Sequence, residues 1–171
     1  MRLQSMLEQV LDAKGFEVHS ASPGLPVSAA VARMHEHNVG ALLVLEGDAV
    51  VGIFTERDVL YRVVDGGLDP ATTLVSGVMT RGPWCVSPTM TVVSAMAEMT
   101  ARRIRHLPVI EDGSVLGLIS SGDLTRWVTT EQREEIRELE QDVRSEGSRI
   151  KSAIVLAVVF IVLIIIGVAS S

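Results

Sequence analysis

Residues 20–64 and 85–129 are two copies of one sequence pattern, held at a constant offset of 65 without a gap. SASPGLPVSAAVARMHEHNVGALLVLEGDAVVGIFTERDVLYRVV aligns with CVSPTMTVVSAMAEMTARRIRHLPVIEDGSVLGLISSGDLTRWVT. Identities include Ser22 with Ser87, Pro23 with Pro88, Val27 with Val92, Met34 with Met99, Gly52 with Gly117 and Asp58 with Asp123. Register kept over this length marks an internal duplication, and whatever fold the chain adopts must be built from one unit used twice.

Each copy has the same order of elements. After Ser-Pro, apolar residues fall at Val27, Ala30, Val31 and Met34 and again at Val92, Ala95, Met96 and Met99, one face of a helix. Two strands follow: ALLVLE and AVVGIF around Gly47-Asp48, then HLPVIE and SVLGLI around Asp112-Gly113. Both junctions are hairpin signals, because Gly and Asp tolerate positive φ. Thr55 and Ser120 then open second helices, DVLYRVV and DLTRWVT. Short strands before each Ser-Pro (FEVHSA and PWCVS) and a leading helix SMLEQVLDAK ending at Gly15 complete the pattern. The expected fold is α+β, with the unit strand, helix, strand, strand, helix written twice around a pseudo-two-fold axis.

About sixty residues give only a marginal core. The two copies are therefore expected to pack together and leave clefts at their seam. The boundaries read 1–66 for the first repeat with its leading helix, 74–130 for the second, 131–151 for a charged linker helix and 152–171 for an apolar tail. The linker EQREEIRELEQDVRSEGSRIK carries sparse apolar residues at Ile136, Leu139, Val143 and Ile150, too few heptads for a firm coiled coil. In the tail, 13 of the 20 residues are Ile, Leu, Val or Phe and none is charged. That length matches a bilayer's hydrocarbon core and reads as a transmembrane helix rather than a buried strand. Arg149 and Lys151 just before it place the N-terminal module in the cytoplasm, and the pattern reads as a tail-anchored, single-pass membrane protein with the lipid bilayer as a partner.

The net charge is −6 and no block of like charge occurs, so the basic footprint of a nucleic-acid binder is missing. The one cysteine, Cys85, cannot form an intrachain disulfide and fits a reducing compartment. The opening MRLQSMLEQVLDAKG lacks the long apolar core of a secretory signal.

TERD at Thr55–Asp58 and SSGD at Ser120–Asp123 each read as a capping box that closes the orphan amides of a helix start. Asp in both copies, where Glu is the usual partner, admits a second use. A helix start can receive phosphate, and a carboxylate one turn on can accept two hydrogen bonds from a ribose diol. Gly52 and Gly117, three residues earlier, would let a flat ring approach the strand backbone.

With VMT at Val78–Thr80, HLPVI in the second copy and Gly-h-h-[Ser/Thr]-x-x-Asp closing each copy (h apolar), the duplicated region resembles a cystathionine-β-synthase (CBS) domain pair over roughly Leu7–Thr129. The resemblance implies a disc-like module that dimerises and binds AMP, ADP, ATP, NAD or S-adenosylmethionine in clefts between the repeats, with no cofactor required. Carried over by position, Asp58 and Asp123 would hold ribose hydroxyls, Thr55 and Ser120 would meet ribose or phosphate, and Arg57 would face phosphate. Ser20, Ala21, Ala41, Leu42, Cys85, Val86, His106 and Leu107 would face the base, largely through backbone groups. Gly122 stands where the first copy has Arg57, although Arg103 and Arg105 could reach a neighbouring cleft, so one occupied cleft is expected.

Other residues have plainer readings. His35 and His37, two apart on a helix, do not face each other and suit a solvated face rather than a metal. Met34, Met96 and Met99 read as core, Trp84 and Trp127 as aromatic packing, and His106 as either a ligand contact or a packed imidazole. Neither a nucleophile elbow, a zinc helix motif nor a Walker loop occurs, so no catalytic machinery is expected. The resulting expectation is a membrane-tethered, non-catalytic regulatory module, a homodimer sensing an adenine nucleotide, with a membrane protein as a further partner. The alternative is a dimerisation or interaction scaffold that binds no ligand.

Overall fold

A computed structural model describes residues 4–130, whose compact body ends at Trp127. The chain order is α1 (Leu7–Lys14), β1 (Ser20–Ala21), α2 (Val27–Glu36), β2 (Ala41–Glu46), β3 (Ala49–Thr55), α3 (Glu56–Asp58) running on as a π-helical stretch (Val59–Val64), α4 (Val75–Val78), β4 (Thr80–Arg81), α5 (Val92–Arg102), β5 (His106–Glu111) and β6 (Ser114–Ser120). Residues 121–130 then form a helix, α6. One sheet has the order β1-β2-β3-β4, and β5 pairs with β6.

The duplication is written into backbone geometry. Val44/Leu45 and Val109/Ile110, one offset apart, are the register shifts of the two hairpins. Ala21 pairs in parallel with Val44 as Val86 does with Val109. Asn38 and Arg103, which follow the paired helices α2 and α5, both adopt positive φ, 52° and 56°. Of the expected short strands, FEVHSA is reduced to Ser20–Ala21 and PWCVS to a single bridge at Val86.

The apolar run of β2 has no polar face because both its faces are covered. Leu42 and Val44 join Val27, Ala30, Met34 and Phe54 under the helices. Ala41 and Leu43 turn the other way and, with Ile53, pack against Val115 and Leu118 of the second repeat. The helical stripes are narrower than the sequence suggests: Val27, Ala30 and Met34 are buried, as are Val92, Ala95 and Met99, while Val31 and Met96 are both exposed.

The leading segments cross over. The chain before the first repeat packs on the second: Val92 N–H donates to Ser5 O (2.8 Å) and Leu7 N–H to Met90 O (2.9 Å). The chain before the second repeat packs on the first: Val27 N–H donates to Thr73 O (2.9 Å) and Val75 N–H to Leu25 O (2.9 Å). Orphan amides at the starts of α2 and α5 are thus met by segments from outside their own repeats. The same crossing explains the paired glycines. A Cβ on Gly52 would lie 2.5 Å from Met79 Sδ and 3.1 Å from Thr80 O, and one on Gly117 would lie 2.5 Å from Leu11 Cδ2. The space expected for a ligand ring over these glycines is filled by the crossing segments.

The membrane reading is corrected here. The linker 131–151 and the tail Ser152–Ser171 lie outside the described residues, and among the described residues no helix is long and apolar enough to cross a membrane. α5, with 11 residues, rises only about 16 Å, against a hydrocarbon core of about 30 Å, and its apolar residues form one buried stripe. The transmembrane helix, the tail-anchored single-pass topology with a cytoplasmic module, the bilayer partner and the membrane tether are therefore withdrawn. The tandem repeat stands without them.

Gly52→Val should destabilise the protein by about 1–3 kcal/mol in denaturant titration, because the backbone oxygen of Thr80 cannot yield as a side-chain tip can. Gly117→Ala should be milder, since only the methyl groups of Leu11 stand in its way.

Candidate functional site

β3 and β6 end at Thr55 and Ser120, and each of these residues is also the start of the following helix. Both capping boxes form. Asp58 Oδ2 accepts from Thr55 N (2.9 Å) and Thr55 Oγ1 (2.7 Å). Asp123 Oδ2 accepts from Ser120 N (2.8 Å) and Ser120 Oγ (2.7 Å). Among the described residues Asp58 is the one buried polar residue, 6% exposed. Its second oxygen, Oδ1, is less engaged, with Thr80 Oγ1 at 3.4 Å and Arg62 Nη1 at 3.3 Å.

A cavity of about 730 Å³ lies at the seam of the two repeats. It brings together six of the residues expected from sequence: Thr55, Arg57, Asp58, Arg105, His106 and Ser120. It also gathers residues that sequence reasoning did not assign to a site, among them Ile53, Tyr61, Arg62, Thr80, Trp84 and Arg102. Five guanidinium groups, of Arg57, Arg62, Arg102, Arg103 and Arg105, face two carboxylates, of Glu56 and Asp58. The surplus is positive, so an anion is favoured there. Several of these groups are fixed. Arg62 donates to Val78 O (2.8 Å) and Thr80 Oγ1 (3.2 Å), and Arg57 Nη1 donates to Arg103 O (2.9 Å), tying one repeat to the other. The Arg102 guanidinium carbon lies 3.5 Å over the centroid of Trp84 while its Nε donates to Glu98 Oε2 (2.6 Å). The Arg-over-Trp stack had no sequence signal beyond the two residue types. Trp127, also read as packing, has its Nε1 buried without a partner among the described residues.

The other expected residues lie outside this cavity. Asp123 is engaged by Lys14 Nζ (2.7 Å), which also donates to Leu118 O (2.6 Å). Ala21 and Leu42 are core residues, Ala41 lies between the sheets, and Leu107 is fully buried. The backbone of Val86 is spent on strand pairing, its N–H donating to Pro108 O (3.0 Å) and its carbonyl accepting from Ile110 N–H (2.9 Å). Ser20 O accepts from Arg33 Nη1 (2.6 Å). Cys85 Sγ contacts Pro83 O (3.3 Å), and burial raises its thiol pKa, which disfavours the reactive thiolate. His37 is exposed as expected, but its ring stacks on His19 with centroids 4.1 Å apart.

Burial, with Arg105 next, pushes the His106 imidazole from 6.5 down to about 4, so it is neutral near pH 7. Burial alone would raise Asp123, but bonds from Lys14 and Ser120 outweigh it and hold the carboxyl below its ordinary value.

The family profile of the CBS domain matches residues 13–65 and 75–130, more than half of the chain. The chain belongs to the CBS-domain family. The CBS domain-containing protein CBSX3, mitochondrial, of Arabidopsis thaliana is 44% identical over 115 residues, 64% of this chain and 56% of that protein, so this chain spans about half of that relative's length. YhcV, a CBS domain-containing protein of Bacillus subtilis, is 32% identical over 118 residues, 69% of this chain and 84% of its own. The crystal structure of the CBS-domain containing protein ATU1752 from Agrobacterium tumefaciens superposes with a TM-score of 0.67 at 35% identity, covering 71% of this chain and 98% of that one. CBS domains are a non-catalytic regulatory fold, and such domains generally bind ligands that carry an adenosyl group.

Two outcomes follow for this CBS pair. Between pH 6.5 and about 4 the unfolded chain protonates His106 and the folded chain does not. Stability should therefore fall as pH drops through that interval and stop falling on this account below it. His106→Gln should flatten that part of a Tm-against-pH curve. The loss from Asp123 sets in separately, as pH falls below 3.8. Arg103, a non-glycine residue in the left-handed region, is strained. Arg103→Asn, the residue at its counterpart Asn38, should raise stability by about 1 kcal/mol in denaturant titration.

Proposed function

We propose that this CBS pair is a regulatory module that binds an adenosyl nucleotide in the Asp58 cavity, with preference for ligands bearing a polyphosphate. The observation that carries the reading is the meeting, in one cavity at the seam, of a buried capping-box carboxylate and five guanidinium groups drawn from both repeats. Oδ1 of Asp58, met only at 3.3–3.4 Å by Arg62 and Thr80, is the oxygen a ribose diol would engage, because Oδ2 is held by the capping box. Arg57, Arg103 and Arg105 supply charge for phosphates. The volume is within the range of small-molecule sites. A ligand seated here touches both repeats, so it shifts their packing by its differential affinity for the two arrangements.

A second reading is a dimerisation or interaction scaffold without ligand. One set of observations favours it: both box carboxylates are satisfied inside the chain, while Leu60, Tyr61 and Val64 along the π-helical stretch are 60–68% exposed and suit a second copy.

Calorimetric titration of the full chain separates the two. ATP should bind more tightly than ADP, and ADP more tightly than AMP, with S-adenosylmethionine weakest and NAD between. Asp58→Asn should weaken ATP by roughly ten- to hundredfold, the loss of one charge-assisted contact. Absence of binding below millimolar for all five, with an unchanged Tm and a stable dimer by light scattering, would establish the scaffold instead.

A further inference from the structure

We infer that Lys14 is a built-in occupant of the second cleft, the one headed by Asp123, and that it restricts the chain to a single nucleotide site. This rests on the reading of the Asp58 cavity given above and names what distinguishes its twin. The two boxes are alike on their inner side, each Oδ2 accepting a backbone and a hydroxyl bond from the residue three positions earlier. They differ in what the crossing segment brings. The segment ahead of the second repeat presents Thr80, whose short hydroxyl lies 3.4 Å from Asp58 Oδ1 and leaves the cavity open. The segment ahead of the first repeat presents Lys14, whose ammonium lies 2.7 Å from Asp123 Oδ2 and 2.6 Å from Leu118 O. Leu118 is the offset counterpart of Ile53, which lines the Asp58 cavity, so the ammonium stands against the matching wall of the twin.

The positions that pair with the arginines of the Asp58 cavity carry none, and two of them, Gly40 and Gly122, line the Asp58 cavity itself. Arg57, Arg62, Arg102, Arg103 and Arg105 fall, at the offset of 65, on Gly122, Trp127, His37, Asn38 and Gly40. None of the five arginine positions keeps its guanidinium, and the arginine that does lie near Asp123 is the exposed Arg126, with Nη1 3.9 Å from Oδ1. The Trp84–Arg102 stack falls on His19 and His37, which are themselves stacked at 4.1 Å, so the shape of the pair survives without the fixed charge. Lys14 supplies a cation to Asp123 from within the chain, at the oxygen the capping box also holds. With five arginines on the Asp58 side and, among the described residues, only the exposed Arg126 near Asp123, the Asp123 side, once vacated by Lys14, favours a nucleoside over a polyphosphate.

Adenosine is the probe, counted by calorimetry on the full chain with and without saturating ATP. Wild type should bind one adenosine per chain, and none when ATP is present. Lys14→Ala should bind two, one of which persists under ATP and disappears in the double variant with Asp123→Asn. Lys14→Met keeps the aliphatic stem and serves as the folded control, matched by Tm; it should show the second site more weakly than Lys14→Ala. An unchanged count in both variants overturns the inference while leaving ATP binding at Asp58 intact. Failure of wild type to bind ATP or adenosine overturns the nucleotide reading instead, and a site gained by Lys14→Ala against that background would still support the role of Lys14. No adenosine bound by any variant overturns both.

Discussion

Each repeat contributes strands that are apolar on both faces, and the whole body depends on covering the second face. Helices cover one side of β2, where Leu42 and Val44 meet Phe54 and the α2 stripe. The other side, with Ala41, Leu43 and Ile53, is covered by Val115 and Leu118 of the second repeat. Neither repeat could leave that face in water, since contiguous exposed patches of this kind drive association. The crossing of the leading segments makes the dependence mutual, because α2 and α5 each take their first backbone partners from chain outside their own repeat. A seam built this way is where a ligand can act on both halves at once. It is also where Arg57 already reaches across to the carbonyl of Arg103.

Two local departures from regular geometry fall on the first cleft. The helix after Thr55 widens into a π-helical stretch, Val59–Val64, with Asp65 N–H donating to Leu60 O (3.0 Å). π segments commonly mark functional sites. Here the stretch carries Arg62, whose guanidinium lies against the carbonyls of Val78 and Met79, beside the buried carboxylate of Asp58. The second departure is the positive φ of Arg103. In the first repeat the same turn is made by Asn38, a residue that tolerates the left-handed region. Keeping arginine there places a guanidinium at the cavity at the expense of local strain.

Much of the architecture was legible because it is local. The hairpin turns lie at the expected Gly47-Asp48 and Asp112-Gly113 pairs, α1 ends at Gly15, and both capping boxes close as their spacing requires. What was not legible depends on contacts far apart in the chain. No periodicity shows that α1 belongs against the second repeat, so Gly52 and Gly117 were read as room for a ligand when Met79 and Leu11 fill it. The same crossing brings Thr80 to Asp58 Oδ1 and Lys14 to Asp123 Oδ2. Ser20, Ala21, Val86 and Leu107 lie outside the Asp58 cavity for a related reason, since strand pairing and burial engage them. Arg62 and Arg102 lacked any motif, and only the folded chain brings them to the site.

The two copies diverge according to what each position must do. Positions that packing dictates have stayed alike: Val27 and Val92, Ala30 and Ala95, and Met34 and Met99 are buried in pairs, and the register shifts and left-handed turns recur at the same offset. Several positions that line the Asp58 cavity have not: its five arginines fall at the offset on Gly122, Trp127, His37, Asn38 and Gly40, while Tyr61 falls on Arg126. Neutral drift on a solvated surface would scatter charge of both signs over both clefts. Clustering one sign in one cleft works against folding, since like charges gathered at a seam repel. Such an arrangement suits the anionic ligand proposed for the cavity, while Lys14 meets the second carboxylate from within the chain.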